Sequence, residues 1–104
     1  MKKKNLPEDI LKIFKKIKYS EHVDLQINIA FNYGTQYEIK NIIESFIKDN
    51  SKKINLKMIR QKMYLGNMPD PEILIRTGGF QRLSNFLLLN LSYSDLFFTE
   101  TLWP

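Results

Sequence analysis

The sequence contains no cysteine and only one histidine, His22, and each shortage excludes a class of chemistry. Without cysteine the chain has no disulfide framework, no thiolate metal site and no cysteine nucleophile. One histidine excludes any metal site that needs two, and it argues against a Ser-His-Asp triad. We interpret His22 as a surface loop residue.

Long apolar runs are also missing. No apolar stretch approaches the ~20 residues that a helix needs to cross a bilayer. The N-terminal Met-Lys-Lys-Lys resembles the charged start of a signal peptide, but Pro7, Glu8 and Asp9 stand where the apolar stretch would follow. We therefore expect a cytoplasmic protein. A chain of 104 residues, 43% of them hydrophobic, can bury only a small core.

Positive charge is concentrated at the N-terminus. Residues 1–18 hold seven lysines and two acidic residues, a net charge of +5, which is also the formal net charge of the whole chain. The lysines either contact an anionic lipid surface, which would place the protein at the membrane periphery, or form a solvated helix face. The composition favours the solvated face. Only Phe14 interrupts these lysines with an aromatic ring, so we predict no nucleic-acid partner.

The apolar spacing predicts three elements in the first half of the chain. Residues 7–18 read as a basic helix, and the alternation over Leu25–Phe31 is typical of a strand. Thr35–Glu38 has the pattern of a capping box at the start of a second helix. The apolar stripe of that helix recurs at i, i+3, i+4, i+7 and i+8: Ile39, Ile42, Ile43, Phe46, Ile47.

The second half predicts two helices around one strand. Asn55 is placed to cap a third helix, and the continuous apolar run Ile73–Ile75 is typical of a strand buried on both faces of a parallel sheet. A last helix is predicted from residue 84 or 85 through Leu96. The order indicates an α/β fold with a partial parallel sheet flanked by helices. Two strands are too few for a stable sheet, so we expect residues 1–104 to be a single partial domain that needs further chain or a partner.

Residues 73–85 carry the chemistry. The strand delivers Arg76 at its carboxyl end, where ligands bind in open α/β sheets. Gly78 and Gly79 let the backbone turn close to a ligand, and their N–H groups with a following helix start would form an anion site. Arg82 and Ser84 add a guanidinium and a hydroxyl suited to a phosphate or diphosphate.

Structural alternatives remain open for both features of this region. In the structural alternative for the turn, one arginine pairs with Asp70 or Glu72 and Ser84 only caps a helix. Asp95 lies in an apolar stretch, where an acid needs a partner or a cation, and a phosphate-bound Mg²⁺ takes one or two carboxylates. The alternative for Asp95 is a helix-surface residue that faces water.

These residues resemble a known family. The stretches Asp70–Leu88 and Tyr93–Pro104, with Arg-Thr-Gly-Gly, Arg-Leu-Ser-Asn-Phe-Leu-Leu and Leu-Trp-Pro, closely resemble the cis-prenyltransferases, whose best-known members are the undecaprenyl diphosphate synthases, or isoprenyl transferases. Leu25–Gly34 is similar to a second signature, and Leu6-Pro7-Glu8 matches the helix before it. The resemblance covers essentially the whole chain.

The resemblance implies a function and a set of site residues. The family condenses isopentenyl diphosphate onto an allylic diphosphate with cis geometry, uses Mg²⁺, works as a dimer, and makes the undecaprenyl diphosphate of the cell-wall lipid carrier. Arg76, Arg82 and Ser84 match positions that hold the diphosphate of isopentenyl diphosphate. Asp95 falls where the family has a Glu that binds Mg²⁺, and is one methylene shorter.

The departures from the family limit what is expected. The resemblance is to the C-terminal part only, and the Asp-Gly-Asn-Gly-Arg-Trp motif for the allylic diphosphate is absent, so no catalytic residue of that motif is retained. Gly34–Gln36 replaces Gly-Gly-Arg, and Phe80 replaces a Glu. We expect the isopentenyl diphosphate half-site of an enzyme that acts as a homodimer or pairs with an N-terminal half. The alternatives are a noncatalytic interaction module and a decayed fragment.

Overall fold

A computed structural model describes residues 7–16, 22 and 24–103. It divides the chain into two compact units, Met1–Asn32 and Tyr33–Pro104. The elements, in chain order, are three helices and two strands: α1 Glu8–Lys16, α2 Thr35–Lys48, α3 Leu56–Lys62, β1 Ile73–Arg76 and β2 Asp95–Phe98.

The first unit contains α1. The carbonyl of Pro7 accepts the first helical hydrogen bonds, from the N–H groups of Ile10 and Leu11, so Pro7 lies immediately before the first residue of the helix. Acidic residues occupy its first turn and lysines its last, which matches the helix dipole at both ends. The predicted helix is confirmed over Glu8–Lys16, and its last two predicted residues lie outside the described ones. His22 is exposed, as predicted.

The predicted strand over Leu25–Phe31 is wrong. These residues have no regular secondary structure, and the side chains of Leu25, Ile27 and Ile29 are 75%, 75% and 69% exposed. No backbone hydrogen bond joins the segment to another described residue. Alternation indicates which side chains favour burial, but a strand also needs a hydrogen-bonded neighbour, and the described chain supplies none.

The second unit begins with α2, whose start differs from the prediction. Gly34 is the N-cap and has no side chain with which to cap the helix, so the predicted capping box at Thr35–Glu38 is wrong. The reason is competition from tertiary partners. Both side chains are fully buried and bond to residues far away in sequence rather than to the helix start.

The core of this unit lies between α2 and α3. Ile42 and Phe46 from α2 pack with Met63, and Met58 and Ile59 lean against them. The other three residues of the predicted stripe are exposed by at least a third: Ile39, Ile43, Ile47. The apolar stripe is therefore confirmed as a pattern, but α3 is too short to cover all of it.

Polar contacts stabilise both ends of α3, and those at its C-terminal end join it to α2. The side chain of Asn55 accepts a 2.9 Å bond from the N–H of Met58, which confirms the predicted cap. At the other end, Lys62 donates to Ser45 at 2.5 Å and to the Asp49 carboxylate at 2.6 Å. The bond from Lys62 lowers the pKa of Asp49. Both ends of α3 are thus held.

Gly66 lies where the chain leaves α3, and a side chain there is excluded. A Cβ at this position would stand 2.0 Å from the carbonyl oxygen of Arg60, a backbone atom that cannot rotate away. We expect Gly66→Ala to lower the free energy of unfolding by about 3 kcal/mol, the upper end for overpacking. Urea denaturation followed by circular dichroism measures this.

The matched control is Gly78→Ala. A Cβ at Gly78 meets nothing within 4 Å, so the cost there is only the strain of a residue with φ of +86°, about 1 kcal/mol. Equal losses in the two variants would contradict the steric explanation for Gly66.

The two strands form a parallel pair. Ile73 is paired with Asp95 and Arg76 with Phe98, which confirms the predicted strand at Ile73–Ile75 and the α/β class with a partial parallel sheet. The prediction that this strand is buried on both faces is wrong, because Ile73 and Ile75 are more than half exposed.

The predicted last helix is also wrong. Residues 84–90 form turns, and the segment that follows is β2. Ser84, Asn85 and Leu87 have φ of 49°, 64° and 49°, a left-handed conformation that an α-helix cannot contain. The aromatic run in β2 suits a strand, so β propensity prevails where helical spacing was expected. Among the helices that the structure describes, none has the length and apolar character to span a membrane.

Candidate functional site

The carboxyl end of β1 and the loop after it form an open cleft of about 370 Å³. The cleft is lined by eight residues from these two segments: Leu74, Ile75, Arg76, Thr77, Arg82, Leu83, Ser84, Phe86. The three side chains that the sequence singled out for an anion, Arg76, Arg82 and Ser84, therefore share one cavity. Their roles as ligand-binding groups stay a prediction.

Arg76 connects the strand to the far side of the cleft. Its Nη1 donates a 2.8 Å hydrogen bond to the hydroxyl of Ser84 and a second bond to the backbone carbonyl of Arg82. One guanidinium thus holds the loop closed over six to eight residues. Because Ser84 accepts from Arg76, its own hydroxyl proton remains available to a ligand in the cleft.

The two guanidinium groups share an aromatic neighbour. The Cζ atom of Arg82 lies 4.4 Å from the centre of the Phe80 ring, and that of Arg76 lies 5.6 Å from it. Both distances are within the range of a cation–π interaction. The sequence marked Phe80 only as the replacement of a family Glu, and the structure gives it direct contacts with both cations.

No carboxylate among the described residues neutralises either arginine. Asp70 is occupied by Arg60 at 2.5 Å and by the side chain of Asn90 at 2.7 Å, and the bond from Arg60 lowers the pKa of Asp70. Glu72 forms no ion pair within the described ranges. The alternative in which Asp70 or Glu72 pairs with a cleft arginine is wrong, and the cleft keeps two positive charges.

Gly78 and Gly79 shape the turn but do not present their N–H groups to a ligand. Their φ angles are +86° and +77°, which side chains disfavour, so both glycines are needed for the bend. The N–H of Gly78 donates to the carbonyl of Thr101 and that of Gly79 to Thr99, each at 2.9 Å. The predicted anion site on these N–H groups and on a following helix start is therefore wrong. Anion binding therefore stays a prediction for the side chains of the cleft.

The loop that carries Ser84 is fastened to the N-terminus of α2. The N–H of Thr35 donates to the carbonyl of Asn85 at 2.9 Å, and the N–H of Gln36 donates to the Asn85 side chain at 3.0 Å. In return the N–H of Leu88 donates to the Thr35 hydroxyl at 3.0 Å. Asn85 thus caps α2 from a distance of about fifty residues, a contact that no local pattern indicates.

A buried polar network lies beneath this contact. Tyr33 donates to the carboxylate of Glu38 at 2.5 Å and lies 3.2 Å from the Thr35 hydroxyl, while the N–H of Tyr64 donates to Glu38 at 2.7 Å. Burial, and then the bond to Glu38, raise the pKa of Tyr33 to about 12. The Tyr33 ring meets Phe86, which lines the cleft, edge to face at 5.7 Å. The network therefore supports the cleft from behind.

Asp95 lies at the other end of the sheet. It opens β2 opposite Ile73, whereas Arg76 closes β1 opposite Phe98. Three residue steps separate the two positions, about 10 Å along a strand. Asp95 is an exposed strand residue rather than part of a helix surface, and the structure does not bring it together with the cleft arginines.

The described residues contain no group of three or more metal-ligating side chains. Asp95 fits one ligand position of a Mg²⁺ site, because its carboxylate is exposed and forms no ion pair with a described residue. Mg²⁺ is usually held by one or two carboxylates with phosphate oxygens and waters. The remaining ligands would therefore come from outside this set of side chains.

Comparison with known proteins decides the family. The family model for undecaprenyl diphosphate synthase matches residues 2–104. The chain belongs to this prenyltransferase family. It is 45% identical to the isoprenyl transferase of Thermotoga maritima over 99% of this chain and 47% of that protein. It is 38% identical to the isoprenyl transferase of Fusobacterium nucleatum over 99% of this chain and 45% of that protein.

A third relative has a different enzyme name. The tritrans,polycis-undecaprenyl-diphosphate synthase (geranylgeranyl-diphosphate specific) of Pyrococcus furiosus is 43% identical over 75% of this chain and 32% of that protein. The chain spans less than half the length of these three prenyltransferases. The predicted resemblance to the family is confirmed, and what the full-length relatives do comes to this chain only as a proposal.

The hydroxyl of Ser84 gives a prediction for the prenyltransferase cleft. We expect Ser84→Ala to weaken the binding of isopentenyl diphosphate about tenfold, because one hydrogen bond to a charged group is lost. Ser84→Gly removes the same hydroxyl and also relieves the left-handed backbone, where φ is 49°. Isothermal titration calorimetry should give the two variants equal affinities. Binding at the parent affinity in either variant would contradict a role for the hydroxyl.

Proposed function

We propose that this chain carries the isopentenyl diphosphate half-site of a polyprenyl diphosphate synthase. The observation that carries the proposal is the shared cleft of Arg76, Arg82 and Ser84, in which no described carboxylate neutralises the two guanidinium groups. Guanidinium groups bind phosphate oxygens through paired, charge-assisted hydrogen bonds. A diphosphate supplies both the charge and the number of acceptors that this cleft leaves unmatched.

The proposed task of the cleft is holding and orienting its substrate. In a condensation of this kind the isopentenyl unit keeps its diphosphate, while the allylic partner releases its own diphosphate as pyrophosphate. The residues that bind the isopentenyl diphosphate therefore position its double bond and expel no leaving group. Arg82 reaches the diphosphate with an uncommitted guanidinium, and the Ser84 hydroxyl donates its proton to a phosphate oxygen.

Mg²⁺ is part of the proposal through the family resemblance. Asp95 would supply one carboxylate oxygen, with diphosphate oxygens and water among the other ligands. When bound, the ion would neutralise negative charge on the diphosphate groups.

The remaining partners are proposed for the whole protein rather than for the cleft. They are an allylic diphosphate as second substrate, and association as a homodimer or with a polypeptide that supplies the part of the relatives this chain does not match. We propose a cytoplasmic location. Contact of the basic N-terminal segment with anionic lipid would place the protein at the membrane periphery. Nucleic acid is not among the proposed partners.

A noncatalytic interaction module is the second candidate. It is favoured by the apolar side chains that the second unit leaves exposed on its sheet and on α2, among them Ile43, Ile75 and Phe97. Exposed apolar residues in this number are typical of surfaces that another chain covers. This candidate predicts association without turnover, and a decayed fragment predicts neither.

Incorporation of radiolabelled isopentenyl diphosphate into lipid distinguishes these functions. The assay is run with an allylic diphosphate and Mg²⁺ on the chain alone, and on the chain mixed with the part of the Thermotoga maritima isoprenyl transferase that it does not match. We expect product only in the mixture. Product from the mixture that is unchanged when this chain is left out would reject the enzyme, and co-elution without product would favour the interaction module.

A further inference from the structure

Phe80 stands between the two cations of the cleft. We propose that Phe80 is a positioning residue that orders the Arg82 guanidinium, and to a lesser degree that of Arg76, for a diphosphate ligand. The proposal rests on the proposed function, because it assigns the diphosphate as the ligand that the ordered arginines meet. It adds a residue that neither the relatives' names nor the anion-site pattern identifies.

The contacts of the two arginines differ, and the difference assigns the main role to Arg82. Arg76 is already held by two hydrogen bonds, to the hydroxyl of Ser84 and to the carbonyl of Arg82. The Arg82 side chain forms no hydrogen bond and no ion pair with the residues that the structure describes. Its cation–π contact with the Phe80 ring, at 4.4 Å, is therefore the interaction to which we assign its ordering.

Electrostatics explains why an aromatic ring serves here. The two guanidinium carbons lie 4.4 Å and 5.6 Å from one ring centre, and so no more than about 10 Å apart. Like charges at this separation repel each other, whereas the negative face of the ring attracts both. A carboxylate, such as the Glu that the family resemblance places at this position, would also attract them but would neutralise one of the two charges. The ring orders the arginines and leaves their charge intact.

Phe80 has little else to do in the fold. Its side chain is 54% exposed and it is not part of the buried cluster around Ile42 and Phe46. Replacing an exposed side chain usually changes stability little. A change in ligand binding on replacement of Phe80 can therefore be separated from unfolding.

Three variants of the full chain test the proposal: Phe80→Leu, Phe80→Trp and Phe80→Glu. Calorimetry with isopentenyl diphosphate, and separately with inorganic pyrophosphate, measures their affinities. We expect Phe80→Leu to weaken both about threefold to tenfold, because it keeps apolar bulk but loses the π face. Phe80→Trp should stay within about twofold of the parent. Phe80→Glu installs the residue of the family pattern and should bind more tightly than Phe80→Leu, because it still attracts both cations, but it should depend less on salt because it neutralises one cleft charge.

A spectroscopic readout is independent of the ligand. In the unliganded chain, the ring current of Phe80 should displace the side-chain Nε–H resonance of Arg82. We expect Phe80→Leu to remove this displacement and Phe80→Trp to keep it. If Phe80 only packed the loop, the chemical shift of the Arg82 Nε–H would be the same with an aromatic or an aliphatic side chain at position 80.

The outcomes separate this proposal from the proposed function. If the parent binds isopentenyl diphosphate and Arg82→Ala does not, but Phe80→Leu matches the parent in affinity and in the Arg82 resonance, the role of Phe80 is overturned and the proposed function stands. If the parent binds neither diphosphate, both are overturned. Weakened binding in Phe80→Leu with rescue by Phe80→Trp supports the proposal.

Discussion

Replacing Arg82 with Ala should abolish the binding of isopentenyl diphosphate. Arg82 is the cleft cation whose guanidinium has no hydrogen-bond partner among the described residues, so all of its N–H donors are available to a diphosphate. A hydrogen bond to a charged group contributes roughly 1.5–3 kcal/mol, and a guanidinium can make two to one phosphate. The expected loss is therefore about a hundredfold or more, which calorimetry in the presence of Mg²⁺ would record as no measurable binding.

Arg82 is a better test of the cleft than Arg76. Arg76 also bonds the Arg82 carbonyl and the Ser84 hydroxyl, so its removal would loosen the loop and confuse ligand binding with loop geometry. Arg82→Ala removes a side chain that tethers nothing except the Phe80 ring.

Two controls make the result specific. Arg82→Lys keeps the charge but loses the paired donors, and we expect an intermediate affinity. Lys57→Ala removes one positive charge from an exposed position on α3, so it tests whether net charge alone accounts for the effect, and it should bind like the parent. Equal affinity in Arg82→Ala and the parent would reject the diphosphate site.

Replacing Glu38 with Leu should produce the largest loss of stability. The Glu38 side chain is 1% exposed and its carboxylate accepts bonds from the Tyr33 hydroxyl and the Tyr64 N–H. Leucine would leave both donors without this acceptor in a partly buried position, at about 1–3 kcal/mol each. We expect the free energy of unfolding to fall by about 2–6 kcal/mol, and thermal and urea denaturation measure the loss.

The isosteric variant and a surface variant bracket this result. Glu38→Gln keeps one acceptor oxygen for Tyr64, and its amide can donate to the Tyr33 hydroxyl, so it should lie between Glu38→Leu and the parent. Glu44→Leu changes an exposed acid on the same helix, whose one ion pair within the described residues is with Lys40, and should cost less than about 0.5 kcal/mol. A Glu38→Leu variant as stable as the parent would show that the network contributes nothing.

The Tyr33 hydroxyl offers a second measurement on the same network. Its pKa is raised to about 12 by burial first and by the bond to Glu38 second. The stability that comes from this shift is present below the ordinary tyrosine value and is lost as the pH rises through the folded-state value. In Glu38→Gln the pKa of Tyr33 should fall, because the second cause is removed while burial persists.

Sequence patterns predicted the elements whose cause is local. The cap at Asn55 is confirmed because the side chain and the N–H that it accepts are three residues apart. The run Ile73–Ile75 is confirmed as a strand because β-branched and aliphatic side chains favour extended backbone. The placement of Arg76 at the carboxyl end of that strand followed directly, and with it the position of the cleft.

Local patterns misled where distant partners competed. Thr35 and Glu38 have the spacing of a capping box, but buried bonds to Leu88, Tyr33 and Tyr64 take their side chains instead. Leu87, Leu88 and Leu91 have helical spacing, but left-handed residues at 84, 85 and 87 prevent a helix. In the first case, contacts with distant segments outweigh a capping preference worth about 1 kcal/mol.

The sequence by itself predicted which residues carry the chemistry, because charge, hydroxyl groups and the absence of a side chain at glycine persist in any fold. It thereby identified the family and the set Arg76, Arg82 and Ser84. Only the tertiary structure decided how these groups are arranged. The glycine N–H groups donate to the carbonyls of Thr99 and Thr101, Phe80 contacts both cations, and Asp95 lies at the far end of the sheet. The physical reason is that hydrogen-bond partners and distances are set by segments far apart in sequence, which no local pattern encodes.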